Sequence, residues 1–166
     1  MNILKNQTTP KVKTDLRRYY LKDRIFDHPT EYEFYKLLRE DILGERFVAM
    51  VQIPVLCLVG VRRRHEPGWL AHFGRIKSKR IDYLICRKEN LKPLLALELD
   101  GSTHDKEDRQ ERDIFINSVF ASVGLPVLHV FLQSAWNKAA VALSIAKKLG
   151  LEARVIRRLE SQAGVW

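Results

Sequence analysis

The chain has 166 residues, 46% hydrophobic and 30% charged, which suits one globular domain and excludes a disordered chain. Its net charge of +9 points to polyanionic partners, nucleic acid first among them, over neutral or cationic ones. No apolar run approaches the roughly 18 residues needed to span a membrane. Cys57 and Cys86 lie in separate apolar runs without metal-ligand spacing, which argues against a zinc site.

Residues 1–24 carry seven Lys/Arg against Asp15 and Asp23 and read as a basic N-terminal arm. A main domain is expected over 25–150. Its first element is a helix capped by Thr30, with Glu31 and Glu33 in the first turn and Phe34, Leu37, Leu38 and Ile42 at helical spacing before Gly44. Residues 46–61 are rich in Val, Ile, Leu and Phe and predict a strand, or a bent strand pair broken at Pro54. The stretch 62–80 reads as a loop with a turn at Pro67-Gly68. Within it Arg62, Arg63, Arg64, Arg75, Lys77, Lys79 and Arg80 stand against a single acid, Glu66, the pattern of a phosphate-backbone footprint. Trp69, His72 and Phe73 in the same stretch either stack on an unpaired base or anchor the loop on the core.

Two short buried strands follow, Ile81–Cys86 and Leu94–Leu99, joined by a turn over Glu89–Pro93. Asp100–His104 forms a tight loop, and a helix runs through 105–123, stopped by Gly124 and Pro126. Val127–Leu132 is a strand, Ser134 caps a helix reaching Leu149, and 151–166 form a basic C-terminal helix or tail with Arg154, Arg157 and Arg158 on one side. A helix between the strands at 94–99 and 127–132 implies a parallel crossover, whereas the shorter links before it imply antiparallel neighbours. The fold class is therefore α/β, a mixed sheet with helices on both faces.

Carboxylates stand where hydrophobes belong. Asp82 interrupts one buried strand, and Glu98 and Asp100 end the next, pointing the same way because side chains alternate. If adjacent strands bring Asp82 and Glu98 to about 4 Å, their repulsion amounts to roughly 4 kcal/mol at an effective dielectric near 20. Either a divalent cation offsets it, since Mg²⁺ takes one or two carboxylates plus waters and phosphate oxygens, or nearby cations such as Arg80, Arg109 or Arg112 do. His104, directly after the acidic strand, has the chemistry of a general base or a phosphate contact.

The ordered blocks Arg80-Ile-Asp82-Tyr-Leu-Ile, Leu97-Glu98-Leu-Asp100-Gly101-Ser-Thr-His104, Arg109-Gln-Glu-Arg112-Asp113 and Gly124-Leu-Pro126-Val-Leu resemble a branch of the PD-(D/E)XK, or restriction-endonuclease-like, superfamily. That branch lies near the very-short-patch-repair endonucleases and a related uncharacterised bacterial domain family. The resemblance covers roughly residues 30–132 and implies an αβββαβ core. It implies that Asp82, Glu98 and the Leu99 carbonyl hold Mg²⁺ or Mn²⁺, and that Glu31 supplies the acid of the first helix. His104 matches the family's histidine, and Arg109 and Arg112 the helix face that approaches the scissile phosphate. The superfamily's lysine falls at Asp100, as in the relatives nearest to this pattern, so His104, Arg109 or Gln110 takes over its role.

The function expected from these residues is metal-dependent hydrolysis of nucleic-acid phosphodiesters by a cytoplasmic endonuclease acting on DNA. The alternative is a catalytically inactive nuclease-fold module that binds DNA or joins a larger DNA-processing complex. A homodimer fits an enzyme that cuts both strands.

Overall fold

Four of the apolar runs become strands, and the residues at their ends explain where they stop. A computed structural model describes residues 20–101, 107–133 and 135–151, with 107–113 described by their backbone. The first helix, α1 (Pro29–Lys36), starts two residues earlier than a cap at Thr30 suggests. His28 is the extended cap residue, and Pro29, with no N–H to lose and a preset φ, opens the helix. The helix widens into a π-type turn over Leu37–Ile42, where Leu43 N–H reaches back five residues to the Leu38 carbonyl at 3.0 Å. Gly44, at φ +58°, ends it.

Strand β1 (Phe47–Pro54) stops at its proline, as expected, but no second arm follows. The chain instead makes one 3₁₀ turn, Val55–Cys57, with Val55 wholly buried. The basic stretch holds a helix that the loop expectation missed, α2 (Trp69–Ile76), which begins after Gly68 at φ +89°. Strand β2 (Arg80–Arg87) and strand β3 (Pro93–Asp100) follow. The helix α3 (Glu107–Ser122) then carries the chain to strand β4 (Val127–Phe131). The last described helix is α4 (Lys138–Lys148), capped by the Asn137 side chain, which accepts from Ala140 N–H at 3.0 Å; the expected cap, Ser134, lies outside the described residues. The N-terminal arm up to residue 19 and the C-terminal stretch from 152 also lie outside them.

Among the described residues the sheet has four strands in the order β1-β2-β3-β4. The first two pairings are antiparallel and β3-β4 is parallel, the mixed topology read from the connections. One irregularity interrupts the β2-β3 register, between Ile85 and Cys86. The hydrophobic core divides along the two faces. On one side Tyr83, Ile85, Leu95 and Leu97 pack against Phe34 and Leu38 of the first helix and Val141 and Ile145 of α4. On the other, Leu84, Cys86 and Ala96 pack against Ile76 of α2 and Ile116 and Phe120 of α3. Strands buried on both faces explain why Ile81–Cys86 reads as a nearly unbroken apolar run. Among the described residues no helix is long and apolar enough to cross a membrane.

Candidate functional site

The acids at the C-terminal end of β3 are positioned by the way the ladder stops. The β2-β3 ladder ends at the pair Tyr83↔Leu97, and continuing that register by one residue sets Asp82 opposite Glu98. On β3 the even-numbered backbone groups serve β4: Ala96 N–H bonds the Pro126 carbonyl and the Asp100 carbonyl accepts from Leu132 N–H, each at 2.9 Å. The odd-numbered groups therefore face β2. Leu99 N–H, the next donor on that side, bonds the Asp82 carboxylate at 2.8 Å. A side chain thus replaces a strand carbonyl, and the acid is clamped where the two strands part. In extended backbone the N–H and C=O of one residue point the same way, so the Leu99 carbonyl faces the Asp82 side as well.

Asp100 makes a different kind of contact. Its carboxylate oxygens lie 3.1 and 3.3 Å from Nδ1 of His129 on β4. An ionised carboxylate only accepts, so Nδ1 carries the proton and Nε2 is left to Asn117 of α3. The Asn117 amide nitrogen stands 3.1 Å and its oxygen 3.3 Å from Nε2. Asp100, His129 and Asn117 therefore form one chain of hydrogen bonds across β3, β4 and α3. The parallel register pairs His129 with Glu98, so the imidazole lies beside the second acid on the α3 face. Both Asp100 and His129 keep about a third of their side-chain surface in solvent, open to a ligand. His129 was missed in the sequence because one histidine in an apolar strand carries no local signal; only the register reveals its neighbours.

Glu31 lies in the first turn of α1, but its carboxylate accepts from Asp27 N–H at 3.2 Å. Its backbone carbonyl accepts the buried Tyr83 hydroxyl at 2.6 Å, tying the helix to β2. Burial first, then the charges of Glu31 and Asp82, push the Tyr83 phenol far above its ordinary range, so it remains a donor. His104 and the side chains of Arg109 and Arg112 lie outside the described residues.

The basic segment is partly structural. Arg63 pairs with Glu66 at 3.3 Å. The Arg64 guanidinium lies 5.7 Å from the Trp69 ring centre, and Arg75 lies 3.5 Å from that of Phe115. Trp69 stacks on Phe73 at 4.8 Å and donates its indole N–H to the Val61 carbonyl at 3.1 Å, so of the two roles open to these aromatics the anchor describes both. The Lys79 carbonyl accepts from Val55 N–H at 2.9 Å, and Arg80 opens β2 opposite Pro54. Arg62, Arg64, Arg75, Lys77 and Arg80 remain exposed and, among the described residues, make no ion pair.

The oxygen donors at the end of β3 suit a hard divalent cation of the Mg²⁺ or Mn²⁺ type. Among the described residues no group of three or more His, Cys, Asp and Glu could cage a metal. A cation held here would take the rest of its shell from water and phosphate oxygens. A family model described as a protein of unknown function (DUF2726) matches residues 23–149, and the chain belongs to that family. No curated protein and no solved structure matches the chain.

Proposed function

We propose that this family member hydrolyses phosphodiester bonds in nucleic acid, with DNA as its substrate, using a divalent cation held by Asp82, Glu98 and the Leu99 carbonyl. The observation that carries the reading is the clamp of the Asp82 carboxylate on Leu99 N–H at 2.8 Å, which fixes one acid where the register sets it opposite another. The element order supports a PD-(D/E)XK-like core: α1, β1, β2, β3, α3 and β4 follow the expected αβββαβ sequence, with α2 inserted between the first two strands.

When bound, Mg²⁺ or Mn²⁺ supplies an acidified water and charge neutralisation on the phosphate. The chain's own groups do the rest. Asp82 and Glu98 set where a phosphate can approach. The Nδ1–H of His129 holds the Asp100 carboxylate on the α3 side, beside Glu98 and at the position of the superfamily's lysine. The pair orients a water or a phosphate oxygen there by hydrogen bonding, a role in which direction matters more than strength. Arg62, Arg64, Arg75 and Lys77 neutralise backbone phosphates away from the acids.

The test is cleavage of supercoiled plasmid and of labelled single-stranded, duplex and nicked oligonucleotides in Mg²⁺ or Mn²⁺. Cleavage that disappears in the Asp82→Ala/Glu98→Ala double variant supports the reading; cleavage that persists there assigns it to another centre. A binding module without chemistry is favoured by one observation, the lack of a three-ligand group among the described residues. It stands if the wild-type chain binds DNA but cuts none of these substrates.

A further inference from the structure

We infer that the cleft between α2 and α3 is a subsite for one unstacked base of a bound single strand. The inference rests on the nucleic-acid reading above and adds the part of the ligand that this chain would hold away from the acids. A cavity of about 400 Å³ opens to solvent there, lined among others by Val59, Arg62, His72, Phe115, Val119 and Ser122. That volume falls within the roughly 300–1,000 Å³ of small-ligand sites. Its lining is mostly apolar and includes the aromatic Phe115; Arg62 and His72 bring polar groups to it, and no acid lines it. The Arg75 guanidinium, 3.5 Å from the Phe115 ring centre, adds a second cation at the same helix pair. The cleft lies on the sheet face that carries α3, the face of Asp100, His129 and Asn117.

A matching occupant needs a flat apolar body and an anionic tether. A nucleobase on its phosphodiester backbone has both. An acidic peptide offers the charge without the flat body, and a base inside a duplex has its faces covered by its neighbours. Stacking on aromatic side chains with arginine alongside is the common, sequence-tolerant way to hold such a base.

The experiment titrates the full chain, in EDTA, with an oligothymidylate carrying one 2-aminopurine and with the same strand annealed to its complement. The single strand is expected to change 2-aminopurine fluorescence on binding. Phe115→Leu, which keeps apolar bulk but removes the ring, and Ser122→Trp, which fills the cavity from its wall, should each weaken single-strand binding about tenfold, the worth of one stacked base. Duplex binding should change by less than about twofold. Circular dichroism confirms that both variants fold. A flat fluorescence signal, equal losses on duplex and single strand, or displacement by oligoglutamate as effective as by the unlabelled strand overturns the subsite. If neither nucleic acid binds at low salt, the nucleic-acid reading itself falls. If binding is salt-dependent but these variants leave it unmoved, only the subsite does.

Discussion

Substituting Asp82 separates a structural role from a chemical one. Its carboxylate accepts Leu99 N–H at 2.8 Å, and that donor lies at a strand end with no ladder carbonyl in its place. Asp82→Ala removes the acceptor. Asp82→Asn keeps an oxygen in the same place and loses the charge, so the bond from Leu99 N–H survives as a neutral one, worth about 0.5–1.5 kcal/mol. Both variants remove the charge, so the stability difference between them isolates that bond. The alanine variant should therefore be less stable than the asparagine variant by about 0.5–1.5 kcal/mol. For a chain of this length that corresponds to a melting temperature lower by about 1–6 °C. Urea unfolding followed by tryptophan fluorescence measures the difference, and plasmid relaxation in Mg²⁺ measures the chemistry. Asp82→Asn should fold like the wild type and cut nothing. Equal stability of the two variants would refute the clamp, and an active asparagine variant would refute the acid's role in holding a cation.

Three further outcomes follow from the same geometry. Cys57 is exposed and Cys86 is buried, its thiol pushed up by burial, so a thiol reagent should label one cysteine at once and the second only on unfolding in urea. Tyr83 and Cys86 both favour their protonated forms in the fold more than in the unfolded chain. Their stabilisation is thus full below the unfolded values, near 10 for the phenol and 9 for the thiol, and falls as pH rises past them. Urea midpoints should decline above about pH 9, and less steeply between about pH 10 and 12 in Tyr83→Phe. A slope as steep in that variant would remove the phenol from the account. Finally, Arg62→Ala/Arg75→Ala/Lys77→Ala should flatten the dependence of log K for duplex DNA on log salt by up to about 2.7, at about 0.9 for each phosphate no longer neutralised. An unchanged slope would show that these cations do not meet the backbone.

Much of the sheet was legible because its signals are local. The runs around Tyr83 and Leu97 are apolar on both faces, and Gly124 with Pro126 punctuates the crossover, so β2, β3, α3 and β4 could be drawn from periodicity alone. The basic segment misled because its charges dominate the eye. Trp69, Phe73 and Ile76 fall at helical spacing, but Gly68 and Gly74 flank and interrupt them and the arginines suggest a loop. The first cap shifted from Thr30 to His28 because a proline at the first helical position outweighs a hydroxyl one residue later. At the site, Asp82 and Glu98 stood out as acids in apolar strands. The partner of Asp100 did not, because His129 comes 29 residues later and only the parallel β3-β4 register brings it near.

The irregularity between Ile85 and Cys86 has a consequence for how this chain can vary. Side chains alternate with a period of two, so one residue gained or lost within a strand turns every later side chain inside out. The offset in β2 and β3 lies between the hairpin at Glu89–Pro93 and the pair Tyr83↔Leu97, and it takes up odd differences in length before they reach the acids. A residue gained or lost at the hairpin can therefore be absorbed by that offset while the carboxylates keep their partners. A single residue inserted between Asp82 and Ile85 has no such slack and would turn Asp82 away from the Leu99 amide.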